Sequence, residues 1–249
     1  MCLKRVSIKF GMTPVEIFLV ISIFTIAAAI QGSIGFGANL FAVPLLALIN
    51  TELIPIPILI VNPIMNLMLA WRERGNVDRS ALVSALIGRI PGVVLGVLAL
   101  SLISTDRLGL LFGTLLLVAI GLQMSGLALP RSRKTLTLAG GVSGFMATSV
   151  GVGGPPMALA LKDLPGPSFR ATMSPYFVIG SSLSIFGLIL GGQFEISDIW
   201  NSLLLLPAAI AGILISGPLR SRVDSGRIAY FIYFLSSAGA IALLLRSLF

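Results

Sequence analysis

The sequence predicts an all-α integral membrane protein built from two inverted repeats of membrane helices, with short broken or re-entrant helices at glycine motifs. Three observations support this prediction. Of the 249 residues, 56% are hydrophobic and only 10% are charged, against roughly 25% charged residues in an average soluble domain. The apolar residues form long segments, and the two halves of the chain repeat the same order of segments. This composition disfavours a water-soluble enzyme, a disordered chain and a nucleic-acid-binding domain.

The apolar segments predict the membrane helices in chain order. They run over approximately 14–30, 38–50, 53–71, 80–103, 108–129, 135–149, 155–161, 169–190, 197–217 and 228–248. The longer ones reach or approach the roughly 20 residues that a spanning helix needs at about 1.5 Å per residue. The segments that start at residues 38 and 155 are too short to span the bilayer. Because each of these two follows directly on a glycine-rich break, we expect a broken or re-entrant helix there.

A shift of 116 residues relates the two halves of the chain. It places Pro14 on Pro130, Ser33 on Ser149, Gly35 on Gly151, Gly37 on Gly153, Gly75 on Gly191, Pro91 on Pro207 and Gly96 on Gly212. The sequence therefore predicts a first membrane repeat over 1–125 and a second over 126–249, which together form one transmembrane domain. The basic residues before the first segment would also suit a signal peptide. That segment has a counterpart in the second half, which favours its being part of the repeat.

The basic residues predict the orientation of the chain in a cell inner (plasma) membrane. If each short segment forms a hairpin with the segment before it, one side carries Arg72, Arg74, Arg79, Arg131, Arg133, Lys134, Lys162, Arg170, Arg220, Arg222 and Arg227, and the other carries Lys4, Arg5, Lys9, Arg107 and Arg246. Because cytoplasmic loops are rich in Lys and Arg, the first side faces the cytoplasm, both termini face outward and the repeats are inverted. If each broken pair were a single crossing, the repeats would be parallel, but 14–50 is too long for one crossing.

The two glycine breaks are the first candidate site. One lies in QGSIGFGANLFAVP at 31–44 and the other in SVGVGGPPMALA at 149–160. A helix that restarts after such a break presents free N–H groups and a partial positive charge, and therefore binds anions. The alternative is that these glycines only let neighbouring helices pack closely. The occurrence of both breaks in register favours a binding site near the bilayer midplane, as in transporters with broken helices.

These segments resemble a known family. GSIGFGANLFAVPLLALI and GFMATSVGVGGPPMALAL, about half a chain apart, are similar to the paired glycine motifs of the TauE/SafE (sulfite exporter) family of membrane proteins. RERGNVD at 72–78, and Pro91 with Gly92 and Gly96, also resemble that family's pattern, so that the resemblance covers most of the chain. It implies a permease for small anions, with sulfite or organosulfonates such as sulfoacetate as typical substrates.

Arg89 is the second candidate. If its helix starts near Ser80, Arg89 lies about 14 Å into the membrane, close to the midplane. A charged side chain at that depth is costly and marks a functional site by default. Gly92 and Gly96 share its helical face, which turns Arg89 toward neighbouring helices. We expect an anion as its partner; the alternatives are snorkelling to the interface or hydrogen bonds to carbonyl groups near Pro91.

Neutral polar residues complete the candidate substrate site. They are Gln31, Ser33, Asn39, Asn62, Asn66, Thr148 and Ser149. Such side chains donate hydrogen bonds to an oxyanion, or they bond neighbouring helices instead. The predicted site also includes Gly35, Phe36, Gly37, Gly151, Gly153, Gly154 and Pro155 at the breaks. The glycines at 88, 92 and 96 are four residues apart, and we interpret them first as a helix-packing stripe.

The residue types that are missing limit the chemistry. The chain has no histidine and one cysteine, and its carboxylates lie in loops or near segment ends. We therefore expect no enzyme, no cofactor and no metal site. A side-chain proton relay is hard to build, but an anion that carries its own proton would still couple its transport to protons.

The expected partners are a small anionic solute and membrane lipids. No nucleic acid is expected, because the basic residues lie in short clusters between membrane segments. The sequence leaves open a monomer or a homodimer. The alternative functions are transport of another small anion or a neutral solute, and a non-catalytic subunit of a larger membrane complex.

Overall fold

The computed structural model describes residues 11–73, 75–103, 107–127, 129–219 and 225–248. Its helices are α1 Pro14–Ile34, α2 Ala38–Ile49, α3 Ile56–Arg72, α4 Arg79–Leu102, α5 Leu108–Met124, α6 Arg133–Val150, α7 Gly154–Ala160, α8 Gly166–Leu190, α9 Ile196–Leu219 and α10 Ser225–Leu248, with a 3₁₀ turn at Thr51–Leu53 before α3. Within these ranges there is no β-strand. The all-α prediction is therefore confirmed.

Several helices are long and apolar enough to cross a bilayer. By length and composition the candidate spans are Pro14–Ile34, Thr51–Arg72, Arg79–Leu102, Gly166–Leu190 and Ile196–Pro218. Their outward faces are apolar, as the exposed side chains of Phe18, Leu98, Phe186 and Leu214 illustrate. Such a surface suits lipid and not water. The chain is a multi-pass membrane protein.

The first glycine break separates α1 from α2. Thr13 caps the start of α1 and exchanges hydrogen bonds with Glu16, whose backbone N–H is 3.3 Å from Thr13 Oγ1. Gly35 ends α1 with φ at 98°, and Gly37 precedes α2 with φ at 99°. Only glycine adopts this left-handed region without strain. The chain therefore turns sharply here, as predicted, and α2 is only 12 residues long.

The second break separates α6 from α7 in the same way. Gly151 ends α6 in the left-handed region, with φ at 79°. The helix α7 starts at Gly154 with Pro155 and Pro156 in its first turn, and it has 7 residues. Both of the predicted short segments are present.

The helix contacts of the first half of the chain match those of the second half. If each helix is exchanged with the one five places away, so that α1 becomes α6 and α6 becomes α1, every major helix pair becomes another major pair or itself. The pairs that correspond are α4–α6 and α9–α1, α4–α8 and α9–α3, α2–α10 and α7–α5, and α1–α2 and α6–α7, while α3–α8 and α5–α10 are unchanged. Two structurally related halves give such a pattern.

The α4–α6 interface contains the predicted glycine stripe. A Cβ atom at Gly88 would overlap the carbonyl oxygen of Thr137, and one at Gly92 would overlap that of Gly141. A Cβ at Gly96 would lie 2.7 Å from Thr148 Cβ. The stripe lets the two backbones touch, as small residues do in membrane helices.

The helices α2 and α7 end at opposite ends of the bundle, so the hairpins α1–α2 and α6–α7 open in opposite directions. At the end we call the basic end, Arg131 lies 3.2 Å from Asp78 and 3.4 Å from Asp163, between the starts of α4 and α6 and the end of α7. At the other, outer end, Arg246 donates to the carbonyl of Leu48, at the end of α2. The helix α4 begins beside Asp78 at the basic end and runs toward the outer end.

Candidate functional site

A small cavity lies between the two glycine breaks. Its volume is about 20 Å³, which is room for one or two water molecules, since one needs about 10–15 Å³. The residues that line it are Gln31, Gly37, Asn39, Leu40, Asn62, Arg89, Ala147, Gly151, Val152, Gly153, Gly154, Pro155, Phe177 and Ser181. They come from both breaks and from α3, α4 and α8. The structure therefore brings the two breaks and Arg89 together.

Most of the predicted site residues line this cavity. They are Gln31, Gly37, Asn39, Asn62, Arg89, Gly151, Gly153, Gly154 and Pro155. The predicted residues that lie outside its lining are Ser33, Gly35, Phe36, Asn66, Thr148 and Ser149. The lining residues that sequence analysis missed are Leu40, Ala147, Val152, Phe177 and Ser181.

Arg89 is a fully buried cation with unused donors. Its exposed fraction is 0%, its Nη1 atom donates to Ser143 Oγ at 3.3 Å, and its Cζ lies 4.8 Å from the centre of the Tyr176 ring. Its Nε and Nη2 atoms have no hydrogen-bond partner in the described part of the chain. No carboxylate of the described residues pairs with it. A buried guanidinium without a counter-ion is expensive, so this geometry favours an anion at the cavity.

Two glycines make room for Arg89. A Cβ atom at Gly180 on α8 would overlap the guanidinium group. A Cβ at Gly144 on α6 would lie 2.6 Å from the carbonyl oxygen of Arg89. These glycines, and the contacts of Ser143 and Tyr176 with Arg89, were not predicted.

A chain of amide groups holds the start of α2 beside the cavity. Gln31 Oε1 accepts from the backbone N–H of Ala38 at 3.3 Å, and Gln31 Nε2 donates to Asn66 Oδ1 at 2.9 Å. Asn66 Nδ2 in turn donates to the carbonyl of Asn62 at 2.9 Å. Asn66 therefore contributes to the site through Gln31 and not by lining the cavity. The other N–H groups in the first turn of α2 have no carbonyl partner within the helix.

The start of α7 offers fewer donors than the start of α2. Pro155 and Pro156 have no backbone N–H, so the first turn of α7 lacks two of the donors that an ordinary helix presents. Ser143 Oγ donates to the carbonyl of Gly153 at 2.5 Å, which ties this break to Arg89. The first turn of α2 therefore presents more backbone hydrogen-bond donors to an anion than the first turn of α7 does.

Asn39 connects the two breaks. Its Nδ2 donates to the carbonyl of Gly151 at 2.6 Å, across 112 positions of the chain. Its Oδ1 is buried and has no hydrogen-bond partner in the described residues. Ser181 and Asn62 are further polar residues of the lining.

The remaining predicted residues have partners of their own. Ser33 donates to the carbonyl of Ala29 at 2.8 Å, and Ser149 donates to that of Phe145, each within its own helix. Thr148 Oγ1 donates to Ser184 Oγ at 2.9 Å. Phe36 packs edge-on against Phe169 with 5.8 Å between ring centres. The residue Gly35 ends α1 beside Arg170, which pairs with Glu73 at 3.3 Å.

The cavity lining contains groups that can bind a ligand. Among the described residues there is no group of three or more His, Cys, Asp or Glu side chains that could hold a metal ion. The lining contains one cation, several uncharged donors and no carboxylate. Positive charge and hydrogen-bond donors of this kind suit a small anion.

Comparison with known proteins identifies the chain as a membrane transporter. The family model "Sulfite exporter TauE/SafE" matches residues 20–243, which is nearly the whole chain. No curated protein and no solved structure matches the chain. The members of the matched family are membrane transporters for small solutes and not enzymes. The chain therefore belongs to the TauE/SafE family of membrane permeases.

Proposed function

We propose that this protein is a secondary permease for a small sulfur oxyanion, with sulfite or an organosulfonate as the substrate. The anion binds in the cavity between the glycine breaks, where it contacts Arg89 and the first turn of α2. The observation that supports this most is the buried Arg89 guanidinium with two unpartnered nitrogen atoms.

The energetics favour a bound anion over an empty site. Burying an unpaired charge in a low-dielectric interior costs roughly several kcal/mol of free energy even after local relaxation. Ser143 and the face of Tyr176 offset only part of this cost for Arg89. An oxyanion that accepts hydrogen bonds from Nε and Nη2 would supply the missing charge and the missing acceptors together.

The cavity must widen during transport. At about 20 Å³ it holds one or two water molecules, whereas sulfite has four heavy atoms. The structure thus corresponds to a closed state in our proposal. Movement of one repeat against the other would open the site, first at one end and then at the other.

The proposed orientation places the basic end in the cytoplasm and both termini outside a plasma membrane. The inverted arrangement of the repeats is supported by the hairpins α1–α2 and α6–α7, which open toward opposite ends of the bundle. It is also supported by the helix contacts that correspond when the halves are exchanged. Each hairpin would then block one side of the cavity.

Transport by reconstituted protein tests the proposal. We expect sulfite uptake into proteoliposomes that contain the wild-type chain, and a loss of at least tenfold in the Arg89→Gln variant, which keeps a polar side chain but removes the charge. The control is Arg79→Gln, because Arg79 lies exposed at the start of the same helix, outside the cavity.

Unchanged uptake by Arg89→Gln would remove Arg89 from the site. If the wild type transports none of sulfite, sulfate, thiosulfate and sulfoacetate, the proposal of a sulfur oxyanion substrate is wrong.

A further inference from the structure

The polar groups around the cavity need different hydrogen-bonding groups on a ligand. Arg89 offers donors only, whereas Asn39 offers an acceptor that nothing in the described residues satisfies. We propose that the site takes a monoanion that itself carries a hydrogen-bond donor, such as hydrogensulfite, in preference to the fully deprotonated dianion. This inference rests on the anion site proposed above and specifies the protonation state of its ligand.

The charge balance favours a monoanion. Arg89 is the one charged side chain in the cavity lining that the structure describes. The titratable group packed against it is Tyr176 on α8. The ion pairs of Glu73 with Arg72 and Arg170 lie outside the cavity lining, beside Gly35 where α1 ends. A monoanion neutralises one guanidinium. A dianion would leave one uncompensated negative charge in a low-dielectric interior.

The orientation of Asn39 is fixed by its neighbour. Its amide nitrogen must be the atom that faces the Gly151 carbonyl oxygen, because a rotated amide would place two acceptors 2.6 Å apart. The atom left without a partner is therefore Oδ1, which accepts hydrogen bonds and cannot donate them.

An oxyanion oxygen without a proton cannot satisfy Asn39. A buried acceptor left unpaired costs about 1–3 kcal/mol. Hydrogensulfite has oxygen atoms that accept hydrogen bonds from Arg89 and one acidic proton that it can donate to Asn39 Oδ1. The sulfite dianion accepts hydrogen bonds from Arg89 but has no proton to donate to Asn39.

Proton coupling follows without a proton-carrying side chain. A sulfite dianion takes one proton from solvent where it enters, crosses as hydrogensulfite, and releases that proton on the other side. Each cycle would then move one proton and one sulfite, with one net negative charge. The chain needs no histidine for this, and it has none.

Calorimetry on the purified full-length chain in detergent tests this inference without a variant. Sulfite is titrated above its second pKa in two buffers with different ionisation enthalpies, and methanesulfonate, a monoanion with no donor and no titration in this range, is the control. We expect uptake of about one proton per sulfite bound and none with methanesulfonate. The affinity for total sulfite should fall about tenfold per pH unit above that pKa, and the affinity for methanesulfonate should stay constant.

The Asn39→Ala variant removes the acceptor together with the bond to the Gly151 carbonyl. At a pH where hydrogensulfite dominates, we expect sulfite affinity to fall about tenfold more than methanesulfonate affinity does. Methanesulfonate reports the loss of the Gly151 bond alone, since that ligand offers nothing to Oδ1. An equal loss for both anions would mean that Asn39 supports only the general shape of the site, and would contradict the inference.

The outcomes separate this inference from the proposed function. Sulfite binding without proton uptake would overturn the inference, because the dianion would then be the ligand or a cavity water would satisfy Asn39, and it would leave the anion site intact. If neither anion binds the wild-type chain, the anion site itself is wrong and the inference fails with it.

Discussion

No carboxylate of the described residues pairs with Arg89, because the residues around it are small or uncharged. Gly180 leaves space for the guanidinium, and Ser143 holds one of its nitrogen atoms while also bonding the carbonyl of Gly153. The Tyr176 ring covers one face. The side chain is thus held beside the cavity, and its Nε and Nη2 atoms have no hydrogen-bond partner among the described residues.

Substitution of Gly180 should displace Arg89. In Gly180→Ala, the new methyl group would overlap the guanidinium, so we expect sulfite affinity to fall at least tenfold while the protein still folds. The matched control is Gly121→Ala on α5, where an added Cβ meets nothing within 4 Å. Calorimetry of both variants checks this, and wild-type affinity in Gly180→Ala would show that Arg89 does not contact the anion.

At the scale of single elements, the two breaks show what the sequence predicts and what it does not. Glycine spacing predicts where α1 and α6 stop, because left-handed backbone needs glycine. The prediction that α5 extends to residue 129 is wrong. It ends at Met124, and Gly126 adopts φ 63° shortly after it. Likewise α6 begins at Arg133 instead of 135, because Ser132 caps it.

The contacts between elements could not be predicted locally. Asn39 bonds Gly151, and Ser143 on α6 meets Arg89 on α4, over separations that only the helix packing determines. Arg89 was predicted because a charge within an apolar segment is unusual. Ser181 gave no such signal, since serine is common in membrane helices.

The amide chain that positions α2 should be sensitive to Asn66. In Asn66→Ala, Gln31 loses the acceptor for its Nε2 atom, so a buried donor is left unpaired. We expect a loss of about 1–3 kcal/mol in stability, measured by denaturation in detergent, together with weaker sulfite binding. The exposed Asn76, substituted in the same way, serves as the control. Equal stability of the two variants would contradict a positioning role for Asn66.

At the scale of the whole molecule, the correspondence between halves links structure to transport. The helices α2 and α7 end at opposite ends of the bundle, and both breaks reach the same cavity. A permease needs access from each side in turn, and two related halves that exchange roles provide it. The order of segments and the 116-residue shift predict two repeats from hydropathy and glycine placement alone, and their inverted arrangement stays a prediction.

Labelling in intact cells tests the orientation. In a Cys2→Ser background, which removes the one cysteine of the chain, we expect Ser197→Cys at the outer end to react with a membrane-impermeant maleimide. Asn76→Cys at the basic end should react only after permeabilisation, because an excess of Lys and Arg is typical of cytoplasmic loops. The reverse pattern would invert the topology.

The central claim is that Arg89 and its cavity bind a small anion. The most direct measurement is the thermal stabilisation of the purified wild-type chain, Arg89→Gln and Arg79→Gln by sulfite, sulfate, thiosulfate, sulfoacetate and chloride. We expect a sulfur oxyanion to stabilise the wild type and Arg79→Gln by about 2.7 kcal/mol at a hundredfold excess over the dissociation constant, and to stabilise Arg89→Gln little or not at all. Equal stabilisation of all three proteins, or of none, would contradict it.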